Sequence, residues 1–107
     1  MPEKRYIIPL SDVDQMVIRQ DRSGHAILEF SVQLEVLVNG HWRKAMRFDS
    51  SHAQPHRHVF YPDGKEYREA MTIQDNNGAF TEAQRVVTES FRTIHERYIT
   101  YMERMVE

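Results

Sequence analysis

The sequence contains no cysteine. That absence excludes disulfide frameworks, thiol nucleophiles and thiolate zinc sites, and it leaves the redox compartment open. No apolar run approaches the ~18 residues that a membrane-spanning helix needs. Met1-Pro2-Glu3-Lys4 does not open a signal peptide. The expectation is a soluble, cytoplasmic protein with no membrane partner. There is no excess of one charge: the formal net charge of −2 argues against a strongly basic coat for duplex DNA. Repeats, low-complexity tracts and linkers are missing, as are a Gly-rich phosphate loop, a Ser-His-Asp order and a helix-turn-helix. At 107 residues, 40% hydrophobic and 28% charged, the chain has the ordinary make-up of one globular domain, residues 1–107.

The average charge conceals an asymmetry. Between His41 and Arg68 stand six cations (Arg43, Lys44, Arg47, Arg57, Lys65, Arg68) against three anions (Asp49, Asp63, Glu66), a local net charge of +3 that leaves −5 for the remainder. The same stretch holds His41, His52, His56 and His58, four of the six histidines. A cationic, histidine-rich segment within an acidic chain suits an anionic ligand, or else forms a solvated strand face.

Hydrophobic periodicity organises the rest. Residues 14–20 read as a first strand, and Asp21-Arg22-Ser23-Gly24 as a turn. Over 26–37, Leu28, Phe30, Val32, Leu34 and Val36 alternate with Glu29, Ser31, Gln33 and Glu35, the pattern of a strand with one buried and one polar face. A further strand spans 41–49. Asn39-Gly40 suggests a two-residue hairpin, but that register sets Val36 opposite Arg43 and mixes the faces. A three-residue loop over 38–40 pairs Val36 with Trp42, Val32 with Met46 and Phe30 with Phe48, and is the expectation. Pro62-Asp63-Gly64 forms a second such loop between strands near 56–61 and 65–73. It sets Val59 opposite Tyr67, Arg57 opposite Glu69, His58 opposite Arg68 and His56 opposite Ala70.

Residues 82–105 read as a helix, with Thr81 as N-cap and Gln84 completing a capping box. Ala83, Val87, Phe91, Ile94, Tyr98, Met102 and Met105 form its apolar stripe, and His95 lies at the stripe's edge or on the surface. The expected fold is α+β: an antiparallel sheet of four to five strands with one long C-terminal helix packed across one face. The even-numbered face of 28–48 meets the helix. The face bearing Glu29, Arg43, Arg47 and Asp49 stays open. Ile99, Tyr101 and Val106 stand off the main stripe, which points to a second buried surface and a homodimer.

The chemistry-bearing segment runs from Arg47 to His58. Pro55 holds residue 54 extended, so His52 and His56 are not a helical pair, while His56 and His58 share one strand side. Three readings follow. In the first, His56 and His58 hold a transition metal such as zinc, with His52 or Asp49 completing the site. Alternatively, His56 and His58 are an acid–base pair oriented by His52 and Asp49, with Arg47, Arg57 or Arg68 gripping a phosphate. In the third, the histidines are polar strand and loop residues and nothing more.

Arg47-x-Asp49-x-x-His52-x-x-x-His56-x-His58, after two long strands and before a C-terminal helix, resembles the TumE-type toxins of bacterial toxin–antitoxin pairs. Ser50 stands where that family usually has Asn, and Ala53 where it usually has Gly. The resemblance implies a host nucleic acid as target and a cognate antitoxin as partner. The functional expectation is a toxin-like hydrolase that cleaves RNA by histidine acid–base chemistry without a cofactor, so that His56→Ala and His58→Ala abolish activity at unchanged melting temperature. The alternative is a non-catalytic binding module whose histidine cluster holds a metal or a partner protein.

Overall fold

The computed structural model describes residues 3–50 and 54–106. Strands β1 (Lys4–Ser11), β2 (Asp14–Ser23), β3 (Ala26–Val38), β4 (His41–Asp49), β5 (His56–Phe60) and β6 (Glu66–Ala70) precede one helix, α1 (Asn76–Met105). Each strand pairs antiparallel with the next, so the order in the sheet is the order in the chain. The α+β class and the single C-terminal helix are as expected. The additional strand is β1, whose Pro9 makes its stretch a poor strand by composition. A proline has no N–H for a second neighbour, and β1 has β2 on one side only, so the edge tolerates it.

Alternation on β3 builds the core. Phe30, Val32, Leu34, Val36 and Val38 are buried, and Phe80, Ala83, Val87, Phe91, Ile94 and Tyr98 of α1 pack in the same cluster. Thirty residues of helix span ~45 Å at ~1.5 Å each, close to the 50 Å long axis of the molecule. The helix rests chiefly on β3, with lesser contact to β2 and β4. The β5–β6 hairpin therefore lies beside it rather than beneath it.

Two bulges correct the expected faces. Asp21 pairs with Glu29 but Arg22 pairs with Ile27, so Leu28 is an extra residue. Ile27 turns inward and Leu28, expected on the helix face, is 57% exposed. In the β3–β4 hairpin the two-residue turn wins: Asn39 (φ 51°) and Gly40 (φ 80°) are both left-handed, as a type I′ turn requires. Val38 faces His41 and Val36 faces Arg43, overturning the three-residue loop over 38–40. The mismatch of faces is then removed farther along. Glu35 pairs with Lys44 and Leu34 with Met46, so Ala45 is bulged, and Val32 meets Phe48. Ala45 and Met46 are both buried, whereas Trp42 and Lys44 are exposed.

The β5–β6 hairpin has the expected register throughout, with Tyr61 and Lys65 closing a three-residue loop around left-handed Gly64. The helix begins six residues earlier than expected, at Asn76. Asp75 is the cap, its carboxylate accepting the Gly78 N–H at 2.7 Å. Thr81 lies within the helix, its hydroxyl donating to Asn77 O, and Gln84 donates to Phe80 O, so no capping box forms. Asn76 and Asn77 tie the helix start to the Leu28 bulge by bonds to Ile27, Leu28 and His25. These polar residues are thus a clasp between helix and sheet.

His95 is half-buried, in keeping with its reading as a residue at the edge of the stripe, and it has a specific partner. Its Nδ1 lies 2.6 Å from Oδ1 of buried Asp14, whose other oxygen accepts the Ser11 hydroxyl at 2.7 Å. The pair staples mid-helix to β2. Ser11 bonds the carboxylate and not the imidazole, so the three residues do not form a nucleophile–base relay.

Candidate functional site

The open face of β4, β5 and β6 brings several of the expected residues together. Asp49 pairs in register with His56, Arg47 with His58, and His58 with Arg68. His58 is the centre. It is 7% exposed, its Nδ1 lies 2.6 Å from Glu66 Oε1, and its Nε2 lies 3.2 Å from Asp49 Oδ2. The same Asp49 oxygen accepts the Arg47 Nε–H at 2.8 Å. Both imidazole nitrogens are thereby committed to carboxylates within the fold, and neither is presented to solvent chemistry.

Phe60 completes this arrangement. Its ring is nearly parallel to His58, at 4° with centroids 6.0 Å apart. Lys44 Nζ sits 4.3 Å from its centroid and the Arg47 guanidinium 5.2 Å. The Ala45 bulge is what puts Lys44 on this face. Two cations against one aromatic ring are held by its quadrupole. Arg47 is thus fixed by Asp49 on one side and Phe60 on the other.

The remaining expected residues divide. His56 donates from Nδ1 to Gln54 O at 2.7 Å, which leaves Nε2 as the acceptor of a neutral ring. Arg68 is exposed and has no ion-pair partner among the described residues. Arg57 is on the other side of the sheet: it is ion-paired with Glu69, and its Nε is buried without an acceptor among the described residues. It cannot share a phosphate with Arg47 across the sheet. His52, expected as an orienting group or metal ligand, lies outside the described residues. Among those residues no three His, Cys, Asp or Glu side chains are arranged to hold a metal ion. Ser50 ends the motif with a structural role, since its hydroxyl accepts the Phe30 N–H at 2.9 Å and prolongs the β3–β4 ladder.

Glu66 was missed by sequence reasoning, although a signal for it existed. In the register set by the Pro62–Gly64 loop it lies diagonally across from His58 on the same face, within reach of a long side chain. Asp14 was missed with less to go on, because its partner is 81 positions away.

Farther along the open face, β2, β3 and β4 enclose a shallow concavity of about 280 Å³ whose charged lining is Glu3, Arg19, Asp21, Glu29, Arg47 and Asp49. Arg19 is ion-paired with Glu3 at 2.6 Å and Arg47 with Asp49 at 2.8 Å. The Glu3 contact raises the Arg19 pKa above its usual value. Asp21 and Glu29 face one another directly in register, and Asp21 Oδ1 is buried without a partner among the described residues. Like charges directly opposite on a sheet repel. The lining is acidic once its own ion pairs are made.

No helix among the described residues is long and apolar enough to cross a membrane. No curated protein and no solved structure matches the chain. Residues 1–104 match a domain of unknown function, DUF7718, and the chain belongs to that family.

Proposed function

We propose that this protein is a non-catalytic binding module whose open sheet face accepts a basic segment of a partner protein. The observation that carries this reading is the commitment of His58. An acid–base histidine must offer a ring nitrogen to its substrate, and both nitrogens of His58 are engaged by Asp49 and Glu66. The cluster reads better as a polar tie across β4, β5 and β6. The neighbouring concavity then supplies the binding chemistry: a lysine or arginine placed between Asp21 and Glu29 would relieve their repulsion and satisfy the buried oxygen. A nucleic-acid backbone would instead need a run of cations free of carboxylates. The partner is a second copy of the chain or an antitoxin-like protein, which sedimentation at tens of micromolar separates.

A second reading, RNA cleavage, keeps one specific support. His56 holds Nε2 as an acceptor on the same face as exposed Arg68. In that case His56 is the acid–base group, with Arg68 and Arg47 as phosphate clamps. Titration with an arginine-rich peptide tests the first reading: Asp21→Asn and Glu29→Gln should each weaken binding several-fold. Absence of binding, together with degraded RNA, would favour the second.

A further inference from the structure

The opposite side of the β5–β6 hairpin carries a cleft whose charged lining is cationic. Because α1 rests on β3, a cleft of about 340 Å³ remains between the helix and the hairpin, within the size range of small-molecule sites. Val59 and Tyr67, paired across the hairpin, form one side of its lining. Ile94, Tyr98 and Tyr101 of the helix form the other. Tyr61 and Tyr101, with ring centroids 5.1 Å apart, close one end, and the Tyr101 hydroxyl donates to Asp63 at 2.7 Å. The Ala45 bulge lines the cleft with a methyl group where an unbulged strand would bring a longer side chain.

The charged groups among the described residues lining this cleft are Arg57 and Arg97; Glu69 pairs with Arg57 and accepts from the Tyr67 hydroxyl. Arg97 has no ion-pair partner among the described residues. Arg57 gives one nitrogen to Glu69 and keeps Nε without an acceptor. Tyrosine rings stack on planar ligands, and guanidinium groups bind carboxylate or phosphate through paired N–H donors. Tyr67 is 50% exposed, leaving a ring face open to such contact.

We infer that the cleft between α1 and the β5–β6 hairpin binds a small planar aromatic anion, its ring against Tyr67 and Tyr98 and its carboxylate or phosphate on Arg97 and Arg57. This site is separate from the open face and does not depend on what binds there. The test is a nuclear magnetic resonance titration of the full chain with naphthoate and with adenosine monophosphate. Uncharged naphthamide and adenosine serve as controls. Saturable shifts of the Val59, Tyr67, Ile94 and Tyr98 amides are expected with at least one anion. Which anion binds tells an aromatic acid from a nucleotide. The neutral counterpart, Arg97→Gln and Tyr67→Ala should each weaken binding by roughly tenfold, the scale of one charge-assisted hydrogen bond or a lost stacking partner. Both substituted side chains are exposed, so the variants should fold. No saturable shift at these residues with either anion, or equal affinity for the neutral counterparts, would overturn the inference.

Discussion

The two sides of the sheet use charge in opposite ways. On the open side, cations and carboxylates neutralise one another: Arg47 and His58 are held by Asp49, His58 also by Glu66, and Arg19 by Glu3. In the concavity of β2, β3 and β4 the buried Asp21 Oδ1 has no partner among the described residues and faces Glu29, while Arg68, farther along the same side, has no ion-pair partner among them. On the helix side of the same hairpin, aromatic rings line a cleft whose charged groups are both arginines. A net charge of −2 describes neither. The difference teaches that a histidine-rich cationic segment is not by itself a site. Its residues alternate between faces, and the face that concentrates histidine spends its polar atoms on the fold.

The sharpest way to break this contrast is at Asp49. Asp49→Ala leaves Arg47 and buried His58 without their shared acceptor, and should cost about 3 kcal/mol, since removing one partner of a buried pair strands the other. For a domain near this size that is on the order of 15 °C in Tm. His56→Ala should stay within ~0.5 kcal/mol, as surface changes do. Thermal or urea unfolding checks both, and an Asp49→Ala effect no larger than that of His56→Ala would mean that Asp49 is no structural tie for His58. On the helix side, His95→Ala leaves buried Asp14 with only Ser11 and should cost about 1–2 kcal/mol by the same measurement.

A smaller effect has the opposite sign. Glu29→Gln removes the repulsion with Asp21 and should raise stability by ~0.5 kcal/mol, the behaviour of a residue kept for binding rather than for folding. Unchanged or lowered stability would remove the argument that this pair awaits a cation. The smallest effect concerns pH. The Lys65 backbone N–H and the Tyr101 hydroxyl hold the Asp63 carboxyl below its usual pKa, and the bond to Asp63 raises the Tyr101 hydroxyl above its own. A lowered carboxylate pKa contributes stability present above the unfolded value near ~4, lost as pH falls through the folded one. A raised tyrosine pKa contributes stability that fades as pH rises beyond ~10. Tyr101→Phe should therefore lower stability slightly between about pH 4 and pH 10, where both contributions are present, and flatten both limbs of the stability–pH curve.

Much of the fold was legible because apolar alternation on β3 and the stripe on α1 report burial directly. The β5–β6 register was legible from Pro62-Asp63-Gly64 and the Arg57–Glu69 pair. The β3–β4 register was not. Local turn chemistry at Asn39-Gly40 and the parity of faces conflict there, and a bulge at Ala45 satisfies both, a solution that no single periodicity encodes. The helix start was hidden because Asp75, Asn76 and Asn77 have the composition of a turn, while their side chains bond the distant β2–β3 hairpin. At the candidate site, alternation rightly set His56, His58, Arg47 and Asp49 on one face. It could not show that Glu66 and Asp49 would occupy both nitrogens of His58, because that depends on where three strands meet.

The central claim, that the histidine cluster is framework and the protein binds rather than cleaves, is tested most directly by incubating purified protein with total RNA. The account predicts RNA of undiminished length at every protein concentration. RNA degraded by the wild-type protein and spared by His56→Ala would contradict it.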